Sequence, residues 1–207
     1  YVDLEYQLTD SLLVSGAVRY DDYSDFGDTT NFKLAANWAI NDYVRLRAAA
    51  STGFRAPSMQ QQYFNNIGTQ FITNPADPLG PQIPVQVGTF RNDSDLARAL
   101  GIPQLKEEES TNLSFGVIVT PTDQLSITLD YYSIDSDDRI VVSNKLEGAD
   151  DPSGTLGPAL TAAGAGAAQF FLNGANTETR GFDLVVTYQG IELAGGLLDL
   201  TLAGNKT

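Results

Sequence analysis

The chain has no cysteine and no histidine among its 207 residues. Without cysteine there is no disulfide, no thiolate nucleophile and no thiolate metal ligand. Without histidine the usual general base at neutral pH and the commonest metal-binding side chain are missing. Ser-His-Asp catalysis, Cys-His catalysis and ordinary zinc hydrolysis are excluded, and neither enzyme activity, nor a cofactor, nor a metal centre is expected. Cations are scarce as well: 12 Lys+Arg stand against 26 Asp+Glu, a net charge of -14. A nucleic-acid backbone would find no basic footprint, so DNA and RNA are excluded as partners. Long apolar runs are also lacking. The weakest polar stretch, 156–172, is broken by Pro158, Thr161 and Gln169 and is mostly Ala and Gly, too polar for a membrane helix. The first residues already read as a strand, with no basic and apolar leader, so any targeting segment is expected outside them.

What is present is period-2 alternation, in eight segments. The cleanest is 31–40, with Phe32, Leu34, Ala36, Trp38 and Ile40 on one face and Asn31, Lys33 and Asn37 on the other. Segments 1–8, 11–22, 43–54, 111–120, 125–133, 179–188 and 197–204 repeat the pattern. Alternation fits both a soluble β-sandwich, whose apolar face is a core, and an outer-membrane barrel, whose apolar face meets lipid. The connections decide between them. Short turns at 9–10, 41–42 and 121–124 fall at one end of the threaded strands, whereas long loops at about 55–110 and 135–176 fall at the other. Barrels with short periplasmic turns and long extracellular loops sort their connections this way. Most segments approach the roughly 9 to 11 residues that span lipid, and Tyr6, Tyr20, Trp38, Tyr131 and Tyr188 lie near segment ends, where aromatic girdles belong. The fold class expected is all-β, an antiparallel up-and-down transmembrane barrel.

Residues 51–62 read STGFRAPSMQQQ and 105–116 read LKEEESTNLSFG. The first resembles the strand end S-x-G-F-R-A-P-S/T of TonB-dependent outer-membrane receptors. The second resembles that family's L-K-P-E-x-S-x-x-x-E-x-G, with Lys106, Glu108, Ser110 and Gly116 in agreement, Glu107 in place of Pro and Ser114 in place of Glu. RYDDYSDFGDTTNFKLAANW from Arg19 and NTETRGFDLVVTY from Asn176 resemble the family's strand and loop pattern too. The resemblance implies a plugged barrel of about 22 strands in the outer membrane of a Gram-negative bacterium, of which 1–207 would be one part. It also implies uptake of a scarce, large nutrient, most simply a ferric siderophore, driven through a TonB complex that contacts a plug domain not seen in these residues. Cobalamin, haem and oligosaccharide are the other cargo classes. A passive porin and a soluble β-sandwich adhesin or carbohydrate-binding module are the alternatives.

Arg45, Arg47 and Arg55 fall on the polar side or at the strand end, where guanidiniums suit charge-assisted bonds to plug carboxylates or to neighbouring strands. In the longest loop Tyr63, Phe64, Asn65, Asn66, Phe71 and Arg91 combine aromatic and polar groups suited to a bulky ligand. Glu107, Glu108 and Glu109 read as a solvated acidic rim. Asp21, Asp22, Asp25 and Asp28, then Asp135, Asp137 and Asp138, then Asp150 and Asp151 read as surface charge, since none forms a calcium-loop pattern. Asp93 or Ser94 is expected to cap a short helix through Leu100, and 158–169 to form an Ala-rich one.

Overall fold

The computed structural model describes residues 1–24, 27–73, 77, 79–150 and 154–207; the expectations for Asp25 and Asp151 fall outside them. In chain order its strands are β1 (Val2–Thr9), β2 (Leu12–Tyr23), β3 (Gly27–Ala39), β4 (Val44–Arg55), β5 (Asn66–Ile72), β6 (Ile83–Thr89), β7 (Glu108–Thr122), β8 (Leu125–Val142), β9 (Leu146–Glu147), β10 (Ala167–Gln169), β11 (Phe171–Leu193) and β12 (Gly196–Lys206). Three short helices, α1 (Met59–Tyr63), α2 (Asp95–Ala99) and α3 (Leu156–Ala162), lie in the long connections.

The chain divides into two compact units. The first, Tyr1–Arg55, Glu109–Asp137 and Asn176–Thr207, carries an eight-stranded sheet in the order β1-β2-β3-β4-β7-β8-β11-β12. Its registers bear out the alternation: Val14 pairs with Ala36, Ala36 with Ala48, Trp38 with Leu46, Phe115 with Tyr131 and Val186 with Leu202, all on one face. That face is not a core. Leu4, Leu34, Phe32, Phe182 and Leu202 are more than half exposed, whereas every buried hydrophobic among the described residues belongs to the second unit. A sandwich would bury this face; a membrane wall leaves it to lipid.

The turns at one end have local causes. Thr9 Oγ1 accepts from the amide of Leu12 at 3.1 Å, and Asn41 Oδ1 accepts from the amides of Tyr43 and Val44, both at 2.9 Å. Between β11 and β12 the link is only Ala194 and Gly195, with φ 50° and 85°, and Leu193 pairs directly with Gly196. Positive φ at both central residues is the two-residue hairpin turn whose twist suits antiparallel strands.

Several strands outrun their alternation. β8 continues to Val142 and β11 starts at Phe171, well beyond the 125–133 and 179–188 segments. Alternation reports a contrast between a lipid-facing and a watery side; beyond Asp137 and before Asn176 these strands belong instead to the second unit, where Ile140 is buried and Leu172 packs against the core, so the extensions leave no such trace.

The second unit, Ala56–Glu108 with Asp138–Ala175, is a folded body made from both long connections. Its four-stranded sheet runs β5-β6-β10-β9, and the β6–β10 pairing is parallel, Val87 against Ala167 and Thr89 against Gln169. Phe90, Leu96 and Ala97 from one connection pack with Leu156, Leu160, Ala165, Ala168 and Phe170 from the other, with the Phe90 and Phe170 rings 6.2 Å apart. The expected cap of α2 is present: Ser94 Oγ accepts from the Ala97 amide at 3.1 Å. The expected helix over 158–169 is instead α3, ending at Ala162, followed by a turn with Gly164 at φ 73° and then β10. Ala has little strand preference of its own, and pairing with β6 decides the state of 167–169.

Candidate functional site

On the polar face of the eight-stranded sheet, Arg47 of β4 reaches across β7 to Asp130 of β8. Its Nε and Nη2 donate to the two carboxylate oxygens at 2.9 and 2.5 Å. The residue beneath this bridge is Gly116, directly opposite Asp130 in register. A Cβ there would overlap the Asp130 carboxylate and lie 2.7 Å from Arg47 Nε. The same construction recurs on β8-β11-β12. Tyr132 passes over Gly181, its hydroxyl 2.9 Å from that of Thr207 and accepting from Asn205 Nδ2 at 3.3 Å. Arg45 shares the polar side, opposite Ala39, and is exposed; Arg55 ends β4.

Residues of the two quoted motifs have identifiable work. Ser58 and Gln61 form a reciprocal capping box: Ser58 Oγ accepts from the Gln61 amide at 3.2 Å, and Gln61 Oε1 from the Ser58 amide at 2.9 Å. This starts α1 and sets Tyr63 at its end. Lys106 Nζ lies 2.6 Å from Asp138. Glu108 is 7% exposed and accepts from the Ile140 amide at 2.8 Å, so at this position the solvated rim expected for the three glutamates is not found: its carboxylate satisfies a strand amide instead. Ser110 and Gly116 belong to β7.

Of the aromatic and polar loop residues, the structure brings Tyr63 and Arg91 together, with the guanidinium carbon 5.1 Å from the ring centroid. Asp93 holds Arg91 in place through a two-pronged ion pair, its oxygens accepting from Nε at 2.8 Å and from Nη2. Those hydrogen bonds from Arg91 hold the Asp93 carboxyl below the usual carboxylate range. Asn65 lines a recess of about 550 Å³ with Ile67, Phe90, Leu96, Ala159 and Ala163. Phe64 follows α1, half exposed; Asn66 opens β5 opposite Thr89; Phe71 is exposed near the far end of β5, on the same side of that strand as Ile67 but not at the recess. Two residues the sequence does not mark each make several hydrogen bonds. Asn92 Nδ2 donates to the carbonyls of Pro103 and Phe171 at 2.7 and 2.9 Å. The Asn173 amide bonds the main chain of Lys106 on both sides and the carbonyl of Asp138. Isolated asparagines carry no periodic or spacing signal.

An inside-out sheet with such connections has relatives. The family described as TonB dependent receptor-like, beta-barrel matches residues 1–207. The chain belongs to that family. TonB-dependent receptors of this kind are Gram-negative outer-membrane proteins, receptors and transporters rather than enzymes, so the exposed apolar face is the lipid-facing side of an outer-membrane wall. The chain is 29% identical over 157 residues, 75% of its own length, to the protein named Probable TonB-dependent siderophore receptor PirA of Acinetobacter baumannii. It is 27% identical over 188 residues, 87% of its length, to heme/hemopexin utilization protein C of Haemophilus influenzae. It spans 19% and 23% of those two relatives. The crystal structure of the siderophore receptor PirA from Acinetobacter baumannii superposes with a TM-score of 0.62 at 20% identity, over 90% of this chain and 24% of that one. The RagAB peptide importer gives 0.62 at 14% identity, over 98% and 21%. These likenesses carry the fold.

Proposed function

We propose that these residues are part of a single barrel domain of an outer-membrane receptor that captures a ferric siderophore and imports it with energy delivered through TonB. Eight strands forming an open sheet, at about a fifth of the relatives' length, support a larger barrel. The observation that carries the cargo reading is the loop-borne unit, where a clamped Arg91 lies over Tyr63 and Asn65 lines the neighbouring recess. A fixed cation on an aromatic face beside an apolar hollow suits a large ligand with anionic oxygens and flat rings. Phe64, Asn66 and Phe71 supply further apolar and amide surface on the same body. On the inner side Arg45 is the guanidinium best suited to a plug carboxylate, because Arg47 is already held by Asp130. Equilibrium binding of ferric siderophores, haemin and cobalamin to the full-length receptor tests this. A ferric siderophore binds tightest, and Arg91→Ala weakens it roughly ten- to 150-fold, the loss of about 1.5 to 3 kcal/mol expected of a charge-assisted hydrogen bond to the ligand's anionic oxygens. Haemin or cobalamin preferred over every siderophore, or unchanged affinity in Arg91→Ala, would refute it.

A further inference from the structure

We infer that the described parts of the two long loops open as one cooperative unit, not independently of each other. Among the described residues, neither loop has a core of its own. The first contributes Phe90, Leu96 and Ala97 to a cluster that the second completes with Leu156, Leu160 and Phe170. The parallel β6–β10 ladder joins them through backbone bonds, continued by the Phe90 amide to the Gln169 carbonyl at 3.0 Å and the Gly166 amide to the Gln86 carbonyl at 2.8 Å. Two side-chain clamps close the joint. Asn92, 3% exposed, ties its own loop to the Phe171 carbonyl. Asn173 ties the Lys106 main chain and the Asp138 carbonyl to the second loop's return, beside the Lys106–Asp138 ion pair. Opening one loop therefore strips apolar surface and buried hydrogen bonds from the other, and segments sharing such interactions open as a cooperative unit.

The consequence for cargo rests on the binding reading above: a ligand held by Tyr63 and Arg91 of one loop immobilises α3 of the other, which it need not touch. The mechanical claim is tested without cargo, so its failure is separable from failure of that reading. Amide exchange is followed by mass spectrometry on the full-length receptor, in peptides covering 83–100, 156–171 and, as a reference, 113–119. Asn92→Ala is expected to lower protection in both loop peptides by a common factor of roughly ten, the effect of losing one buried hydrogen-bonding amide, with 113–119 unchanged. A loss confined to 83–100 would overturn the proposal. If the variant does not assemble, the wild-type receptor decides alone under alkaline conditions where opening limits exchange. One shared opening rate for 83–100 and 156–171 supports a single cooperative unit, and separate rates overturn it.

Discussion

At the scale of residues, the polar wall is held by long side chains that cross a strand. Arg47 can meet Asp130 only because Gly116 has no side chain in the path. Gly116→Ala and Asp130→Ala should thus destabilise the receptor to similar extents, by about 1 kcal/mol, and the double variant should cost no more than either single one; thermal unfolding in detergent checks this, and additive losses would mean the glycine serves something else. The motif that contains Gly116 was readable in sequence, but its partner was not, since nothing in the spacing of Arg47 and Asp130 places them two strands apart. Asp93 gives a pH signature. Its folded-state carboxyl lies below the ordinary range, so the stabilisation from the Arg91 pair is complete above the unfolded carboxylate value of about 3.9 and is lost as pH falls through the lower folded value. A fluorine label on the Tyr63 ring should keep a constant resonance from neutrality to about pH 4 and shift below it, and Asp93→Asn should abolish that shift. A shift centred near pH 6 would point to another group.

Elements were legible wherever lipid meets one face and water the other. The registers bear out the alternating segments of all eight wall strands, while the ends of β8 and β11 that belong to the second unit and the small strands β5, β6, β9 and β10 carry no contrast between lipid and water. The parallel β6–β10 pairing joins segments nearly eighty residues apart, and no local pattern announces it. On β3, Leu34 lies between the Trp38 level and the Tyr20–Thr30 level on the lipid side, while its neighbour Lys33 faces the opposite side. Leu34→Arg should impair assembly by about 2 to 4 kcal/mol and Lys33→Arg should be nearly silent; the folded fraction by heat-modifiable migration reads both, and equal penalties would mean the faces are assigned wrongly. At the β11–β12 turn, Ala194 holds φ 50°, a left-handed conformation costing roughly 1 kcal/mol for a residue with a Cβ. Ala194→Gly is expected to stabilise the hairpin slightly or leave it unchanged, and a clear destabilisation would contradict the turn assignment.

For the whole molecule, the sequence conveyed the membrane wall and its family because both leave repeated or contiguous traces, whereas the loop body depends on contacts between distant segments. Composition removed nucleic acid and His- or Cys-dependent chemistry at the outset, leaving capture and transport as the function to be argued. The function proposed above is energised import by a receptor to whose wall and long loops these residues belong. Its most direct test is uptake of a radiolabelled ferric siderophore by cells producing the full-length protein, with and without a protonophore, beside surface binding in the same cells. Binding is expected to persist while accumulation stops when the proton gradient collapses. Accumulation that continues undiminished would mark a passive pore and contradict it.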